Sequence, residues 1–360
     1  MKYHIALSVN HDLEVIAKTA TAGKCPSHIM WDISKHLGAR IYQPSAVKVA
    51  PIDKMLAKII GSPEQWALAR QLSPQLKEDD VIYCDGEYVG IPIAVMTSAS
   101  RHRPKIVMYT QNINRPRGRL ALKLFNLKNK VDLFMAGTSS QAELLRRYLP
   151  KSENRVYKIP CQAPVDISFF TPGVASSKKL RPIIGSGGLE KRDYQTLALA
   201  TSELDVDVKI CAFSPSTTAR QETFPKVMPE NMSCRFYDWC DLVQLYRDSD
   251  IVVLPLFENN YQAGLTTLFE AMACRRPVIV TRSEGIIGDL IDSDAVTGVN
   301  PCDPDGLKQA IEKLLDNPEK ASAQAQRGYE LVTKEFNNSK YIQDFAKKLI
   351  STFESVNTNI

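Results

Sequence analysis

The chain has 360 residues, more than one hydrophobic core of ordinary size accommodates, and two domains of roughly 150–180 residues are expected. Its 44% hydrophobic and 24% charged residues are the balance of a soluble globular protein, and no apolar run approaches the ~20 residues needed to cross a bilayer. The net charge of +5 is modest, and eight scattered cysteines with no CxxC pair or nearby histidine argue against disulfides and zinc and for free thiols in a reducing compartment.

The N-terminal MKYHIALSVNHDLEV has too short an apolar stretch for a signal peptide and reads as a first strand over 4–9. A cytoplasmic location is expected, either free or peripheral at the inner membrane face. Apolar runs at 81–84, 105–110, 132–136 and 156–160 alternate with helical patterns such as 63–72 and 139–148, which predicts a parallel sheet covered by helices. From Arg101 to Lys130 there are nine Lys or Arg residues and no Asp or Glu. Within that stretch RGRLALKLFNLKNKV (117–131) reads as one helix, with Leu120, Leu124, Phe125, Leu127 and Val131 apolar and Arg119, Lys123, Lys128 and Lys130 basic. Such a helix suits either a core-facing position with a solvated basic face or peripheral contact with an anionic membrane. Nucleic acid fits less well, because no base-stacking aromatics interleave the charges.

A stretch rich in Pro, Ser and Gly (162–180) breaks the rhythm and reads as a linker. The pattern restarts at Arg181, with strands expected near 181–187, 206–213, 233–239, 251–256, 278–281 and 295–299, and helices over 304–315, 318–335 and 339–356. Domains are accordingly expected at 1–165 and 181–338, joined by 166–180, with the helix over 339–360 returning to the N-terminal domain.

The densest signal is YQAGLTTLFEAMACRRPVIVT (261–281). An apolar strand, DIVVLPL (250–256), precedes a Gly-containing turn, a short helix carrying Glu270, and another β-branched strand. This unit presents helix N-terminal amides to a phosphate and holds a carboxylate for a ribose. GSGGLEKRDYQTLALA (185–200) likewise follows an apolar strand, lets a diphosphate approach the backbone near Gly187, and places Lys191 and Arg192 where cations neutralise phosphate charge. TGVNPCDPDGLKQAIEKLLDNP (297–318) and IPCQAPVDISFFTP (159–172) complete the set.

In their order and spacing these segments resemble the retaining GT-B glycosyltransferases of family 4, the group 1 glycosyl transferases, over most of residues 159–335. The resemblance implies an α/β fold of GT-B type, two Rossmann-like domains facing each other across a cleft, with no catalytic metal and no cofactor. It implies that the donor phosphates lie on Arg192 and Lys191 and on the amides around Gly264, Leu265 and Thr266, and that the ribose lies on Glu270. The family's paired acid eight residues earlier is here Gln262, a neutral amide that hydrogen-bonds sugar hydroxyls but supplies no charge. Where many members have a histidine, Gln111 and Asn112 stand, able to orient a hydroxyl but not to act as acid or base. The acceptor is expected near 111–112, 85–90 (DGEYVG) and 21–28, where Lys24 or His28 approaches the diphosphate or acceptor and His28 equally suits a structural role.

The implied reaction moves a hexose from a UDP- or GDP-sugar to a hydroxyl of a glycan or lipid-linked acceptor with retention, as in polysaccharide biosynthesis. The leaving phosphate itself takes the acceptor proton. Two other readings stand beside it: a sugar-nucleotide epimerase, and a sugar-nucleotide-binding protein without catalysis. KTATAGKC (18–25) is not a P-loop, since Lys18 and Cys25 occupy key positions. The Asp pairs 205/207, 248/250, 292/294 and 303/305 fall at element boundaries and read as compositional rather than metal-binding.

Overall fold

The computed structural model describes residues 1–44, 47–98, 102–150, 154–161, 163–176, 179–213, 222–259, 262–283 and 288–354. Arg101, Tyr261 and the end of the helix expected over 339–356 lie outside the described residues. The chain forms two units: Met1–Ala17, Ser27–Gln162 and Asp344–Ile360 make the first, and Lys18–Pro26 with Ala163–Gln343 the second.

Unit 1 is built on six strands: β1 Tyr3–Ala6, β2 Arg40–Tyr42, β3 Val81–Cys84, β4 Lys105–Thr110, β5 Leu133–Ala136 and β6 Val156–Lys158. They pair in the order β2-β1-β3-β4-β5-β6, and every pair is parallel. All residues of β3 (VIYC) and β5 (LFMA) are buried, as continuous apolar strands covered on both faces must be. Trp66, fully buried on the helix Pro63–Leu72, donates its indole N–H to the Ile60 carbonyl at 2.8 Å, which satisfies its one polar group. From the C-terminal segment, Phe345 packs edge-on against Tyr83, and Tyr3 donates to Glu354.

The segment 117–131 departs from the single helix its periodicity predicts. The helix Pro116–Leu124 stops where Asn126 adopts a left-handed conformation, and Leu127–Asn129 forms a 3-10 turn. The helix seats itself through Gly118, Ala121 and Leu122, so Leu120 and Leu124 face solvent rather than the core. A Cβ on Gly118 would stand 2.7 Å from the Ile113 carbonyl oxygen, so this close approach requires glycine.

Unit 2 is a second parallel sheet: β7 Ile183–Gly187, β8 Asp207–Cys211, β9 Met232–Arg235, β10 Ile251–Leu254, β11 Val278–Thr281 and β12 Thr297–Val299, in the order β12-β11-β10-β7-β8-β9. Val165 bridges Asn337, and Phe170 is buried against Tyr246 and Trp239, so part of the Pro-rich stretch after residue 162 packs on this unit. The helix Asn338–Phe353 begins in unit 2 and ends in unit 1.

Both sheets change direction once. In unit 1 the chain runs from β1 to β2 on one side, then to β3 on the other; in unit 2 it runs outward from β7 to β9, then returns to β10 on the far side of β7. In open parallel sheets the loops at the carboxyl ends of strands part at such a switch point, leaving a crevice where ligands bind. All eight cysteines are free: Cys25, Cys84, Cys161, Cys211 and Cys274 are buried, while Cys234, Cys240 and Cys302 are exposed. No helix among the described residues is long and apolar enough to cross a membrane.

Candidate functional site

At the switch point of unit 2 the loops after β7 and β10 meet over one side chain, Arg192. Its Nε donates to the Gly187 carbonyl at 2.7 Å, Nη1 to the Glu190 carbonyl at 2.9 Å, and Nη2 to Thr267 Oγ1 at 3.3 Å. Two glycines make room for the guanidinium. Gly188 and Gly264 adopt φ of +86° and +83°, and a Cβ would lie 2.7 Å from Arg192 Nη2 at the first and 3.2 Å from Nη1 at the second. The tight turn therefore depends on Gly188, while the sequence-predicted Gly187 contributes its carbonyl. Arg192 is 2% exposed, and no carboxylate among the described residues lies within ion-pair distance of it. A buried cation without a counter-charge is costly, and its natural complement is an anion.

Gly264 is also the N-cap of the helix Leu265–Ala273, whose first amides belong to Leu265, Thr266 and Thr267. The positive end of the helix dipole thus sits beside the Arg192 charge. Thr266 is exposed, and Gln262 half-buried, just ahead of the cap. Lys191, half-exposed with φ of +57°, accepts Phe257 N–H on its carbonyl at 2.9 Å. The helix starting at Tyr194 is capped by Asp193, whose carboxylate accepts from the Thr196 amide and hydroxyl.

One turn into the Leu265–Ala273 helix stands Glu270, buried, with Tyr246 donating its hydroxyl to Oε2 at 2.8 Å. Burial pushes the Glu270 carboxyl up to about 8, against the opposing pull of the Tyr246 hydrogen bond and the Arg192 charge. Glu270 is therefore mostly a neutral acid at neutral pH, where the sequence alone suggests an ionised carboxylate. The structure thus gathers Gly187, Arg192, Gly264 and Glu270 around Thr267 and Tyr246, two residues that motif reading does not single out.

In unit 1, Gln111 and Asn112 follow β4 and are held from beneath. Glu87, buried at the start of the helix Glu87–Thr97, accepts Gln111 N–H at 2.8 Å and Asn112 N–H at 2.7 Å, and Gln141 Nε2 donates to the Gln111 carbonyl at 2.5 Å. At the β1/β3 switch point Asp85 Oδ1 accepts from the Ser8 amide at 2.7 Å and the Ser8 hydroxyl at 2.5 Å. Burial raises the Asp85 carboxyl to about 6, the hydrogen bonds from Ser8 opposing it. The motif DGE directly after an apolar strand is the only sequence signal for these acids. His28 precedes the helix Ile29–Leu37 without a side-chain capping bond and packs its ring 4.7 Å from that of His11. Burial lowers its imidazole to about 4, so it is neutral there. Lys24 lies in a segment that belongs to unit 2.

Several Asp pairs that mimic metal motifs have structural partners. Arg181 bridges Asp205 and Asp207, Asp248 accepts from Ser176 and Gln244, Asp250 pairs with Lys179, and Asp303 caps the helix Pro304–Leu315.

Residues 205–317 match the profile of the family described as Glycosyl transferases group 1. Among solved structures, sucrose-phosphate synthase from Thermosynechococcus elongatus superposes with a TM-score of 0.71 at 15% identity, over 99% of this chain and 100% of that one. Anabaena HepE in complex with UDP gives 0.67 at 15% identity, over 98% and 100%. The α,α-trehalose 6-phosphate synthase of Burkholderia multivorans gives 0.67 at 13% identity, over 99% of both. No curated protein shows significant sequence similarity to the chain. Two parallel six-stranded units define the class by fold: the chain has the GT-B architecture of these neighbours. The group 1 glycosyl transferase profile covers about a third of the chain, from before β8 to the end of the helix Pro304–Leu315.

Proposed function

We propose that the chain is a glycosyltransferase and transfers a hexose from a UDP- or GDP-sugar to a hydroxyl of a glycan or lipid-linked acceptor, with retention of configuration. The observation that carries the donor assignment is Arg192: a buried guanidinium, framed by two left-handed glycines and a helix N-terminus, with no carboxylate in ion-pair contact among the described residues. A nucleoside diphosphate supplies the missing charge. HepE is a structural neighbour in complex with UDP, which makes UDP the first nucleotide to try.

In this reading the diphosphate lies on Arg192, Lys191 and the amides of Leu265 and Thr266, with Gly187 and Gly264 keeping the backbone open to it. Glu270 binds the ribose, and Gln262 hydrogen-bonds hydroxyls of the sugar. As the bond between the anomeric carbon and the phosphate oxygen breaks, charge grows on the leaving diphosphate and is stabilised by donors already in place. The acceptor oxygen bonds to the same carbon from the same face, and its proton passes to the leaving phosphate oxygen. Gln111 and Asn112, fixed by Glu87, orient the acceptor hydroxyl. No cofactor enters the reaction.

Asp85 supports a second reading. A carboxyl raised to about 6 can take or give a proton near neutrality, as a sugar-nucleotide epimerase requires. Incubation with a panel of nucleoside diphosphate sugars, with and without acceptors, separates the readings. Acceptor-dependent nucleotide release supports transfer; isomerised donor supports the epimerase; tight binding without turnover across the panel identifies a binding protein. Arg192→Ala is expected to lower kcat/KM by at least about tenfold, the effect of one lost charged contact, and Glu270→Ala by at least about tenfold through the lost hydrogen bonds to the ribose and the emptied buried space.

A further inference from the structure

The helix Pro116–Leu124 turns an unexpected face outward. Its buried residues, Gly118, Ala121 and Leu122, lie on one side. At ~100° per residue, Leu120 and Lys123 point directly away from them, flanked by Leu124, Arg117 and Arg119. Leu120 is 58% exposed and Leu124 55%, and both lie on the same stripe one turn apart. Arg117, Arg119 and Lys123 are exposed, and none has an ion pair among the described residues. The close seat of Gly118 on Ile113 fixes which way the helix faces, and no acidic residue occurs between Arg101 and Lys130.

We infer that this face docks unit 1 on the surface of an anionic lipid bilayer, with Leu120 and Leu124 entering the acyl boundary and Arg117, Arg119 and Lys123 meeting lipid phosphates. Charge complementarity selects the occupant. Three unpaired cations around two protruding leucines match a negative interface above hydrocarbon, where apolar burial and electrostatic attraction add. A protein partner of ordinary kind buries ~800 Å² per side, roughly half of it apolar, which is more than two leucine side chains offer. Nucleic acid has no use for the leucines, and the helix offers no aromatic ring for a base to stack on. The inference is independent of the transfer reaction, because docking is read without turnover.

The test is co-sedimentation of the full chain with vesicles of phosphatidylcholine alone and of phosphatidylcholine mixed with phosphatidylglycerol, at low and high salt. The wild type is expected to sediment with the mixed vesicles at low salt, to be released by salt, and to ignore phosphatidylcholine alone. Leu120→Ser/Leu124→Ser is expected to weaken binding about tenfold through the lost apolar burial. Arg117→Gln/Arg119→Gln/Lys123→Gln is expected to weaken it by about fivefold per cation. All five side chains are exposed, so both variants should unfold at the wild-type midpoint. Equal sedimentation of wild type and both variants overturns the inference. So does failure of the wild type to bind mixed vesicles at low salt, or retention on RNA that the leucine variant leaves intact while vesicles capture nothing.

Discussion

Tyr246 and Glu270, 24 positions apart in the chain and both buried, share one hydrogen bond of 2.8 Å. The phenol donates and the carboxyl accepts. This bond joins the helix Trp239–Asp248 to the helix Leu265–Ala273, and burial, with the Glu270 charge and hydrogen bond beside it, holds Tyr246 well above its ordinary range. Tyr246→Phe keeps the packing and removes the donor. The expected cost is about 1–3 kcal/mol of stability, because the buried carboxyl loses its partner. Urea unfolding of the two proteins measures it; an unchanged midpoint would show that Glu270 finds another donor.

Glu270 should make both stability and nucleotide affinity pH-dependent. Its folded-state pKa of about 8 lies above the ordinary carboxyl value of 4.5, so the folded chain holds a proton that the unfolded chain releases first. The resulting stabilisation is complete below about 4.5, declines as pH rises, and is gone above about 8. At full effect the slope is about 1.4 kcal/mol per pH unit. A bound diphosphate offsets the Arg192 charge that lowers this pKa, so the acid stays protonated in the complex. Glu270→Gln, a neutral near-isostere, is therefore expected to bind nucleotide much as the wild type does at neutral pH. It should also escape the loss of affinity that the wild type shows as pH rises through about 8. Calorimetric titrations across that interval check this; parallel curves for the two proteins would contradict it.

Gly188 should not tolerate a side chain. A methyl group there stands 2.7 Å from the Arg192 guanidinium, on a backbone with φ of +86°. Gly188→Ala is expected to lose about 1–2 kcal/mol of stability from the left-handed strain. Because the arginine tip is what yields, nucleotide affinity should fall as well. Fluorescence or calorimetric binding of UDP reads the second effect separately from the first.

Glu87 holds the two residues after β4 by their amides, and the predicted consequence is selective. Glu87→Gln keeps one acceptor but turns an NH2 group toward the other amide, at a cost of about 1–3 kcal/mol. Acceptor KM should rise several-fold while UDP affinity stays unchanged, because every donor contact proposed above lies on unit 2. A parallel loss of UDP affinity would place Gln111 and Asn112 in the donor site instead.

Much of the candidate site in unit 2 is legible in the sequence because its parts are local. Gly264 and Glu270 share one loop and helix, and Arg192 follows its glycine turn within a few residues, so strand–loop–helix chemistry finds them. Tyr246 is not legible: it sits in the apolar stripe of the helix Trp239–Asp248 and looks like core until the fold brings it to Glu270. The pairing of Asp85, inside the expected acceptor segment 85–90, with Ser8 is missed for a different reason. They meet because β1 and β3 are neighbours, and strand order is a tertiary property that no local pattern records. Leu120 and Leu124 show the opposite error. Helical periodicity assigns the larger apolar residues to the core, yet this helix packs through Gly118, Ala121 and Leu122, where the small residues allow close approach, and Leu120 and Leu124 point outward.

The most direct measurement of the donor assignment is the equilibrium affinity of UDP for the wild type and for Arg192→Leu, a substitution that fills the buried space without the charge. The account predicts binding by the wild type and a loss of about tenfold or more in the variant, with the fold intact by circular dichroism. A folded Arg192→Leu protein that binds UDP as tightly as the wild type would contradict it.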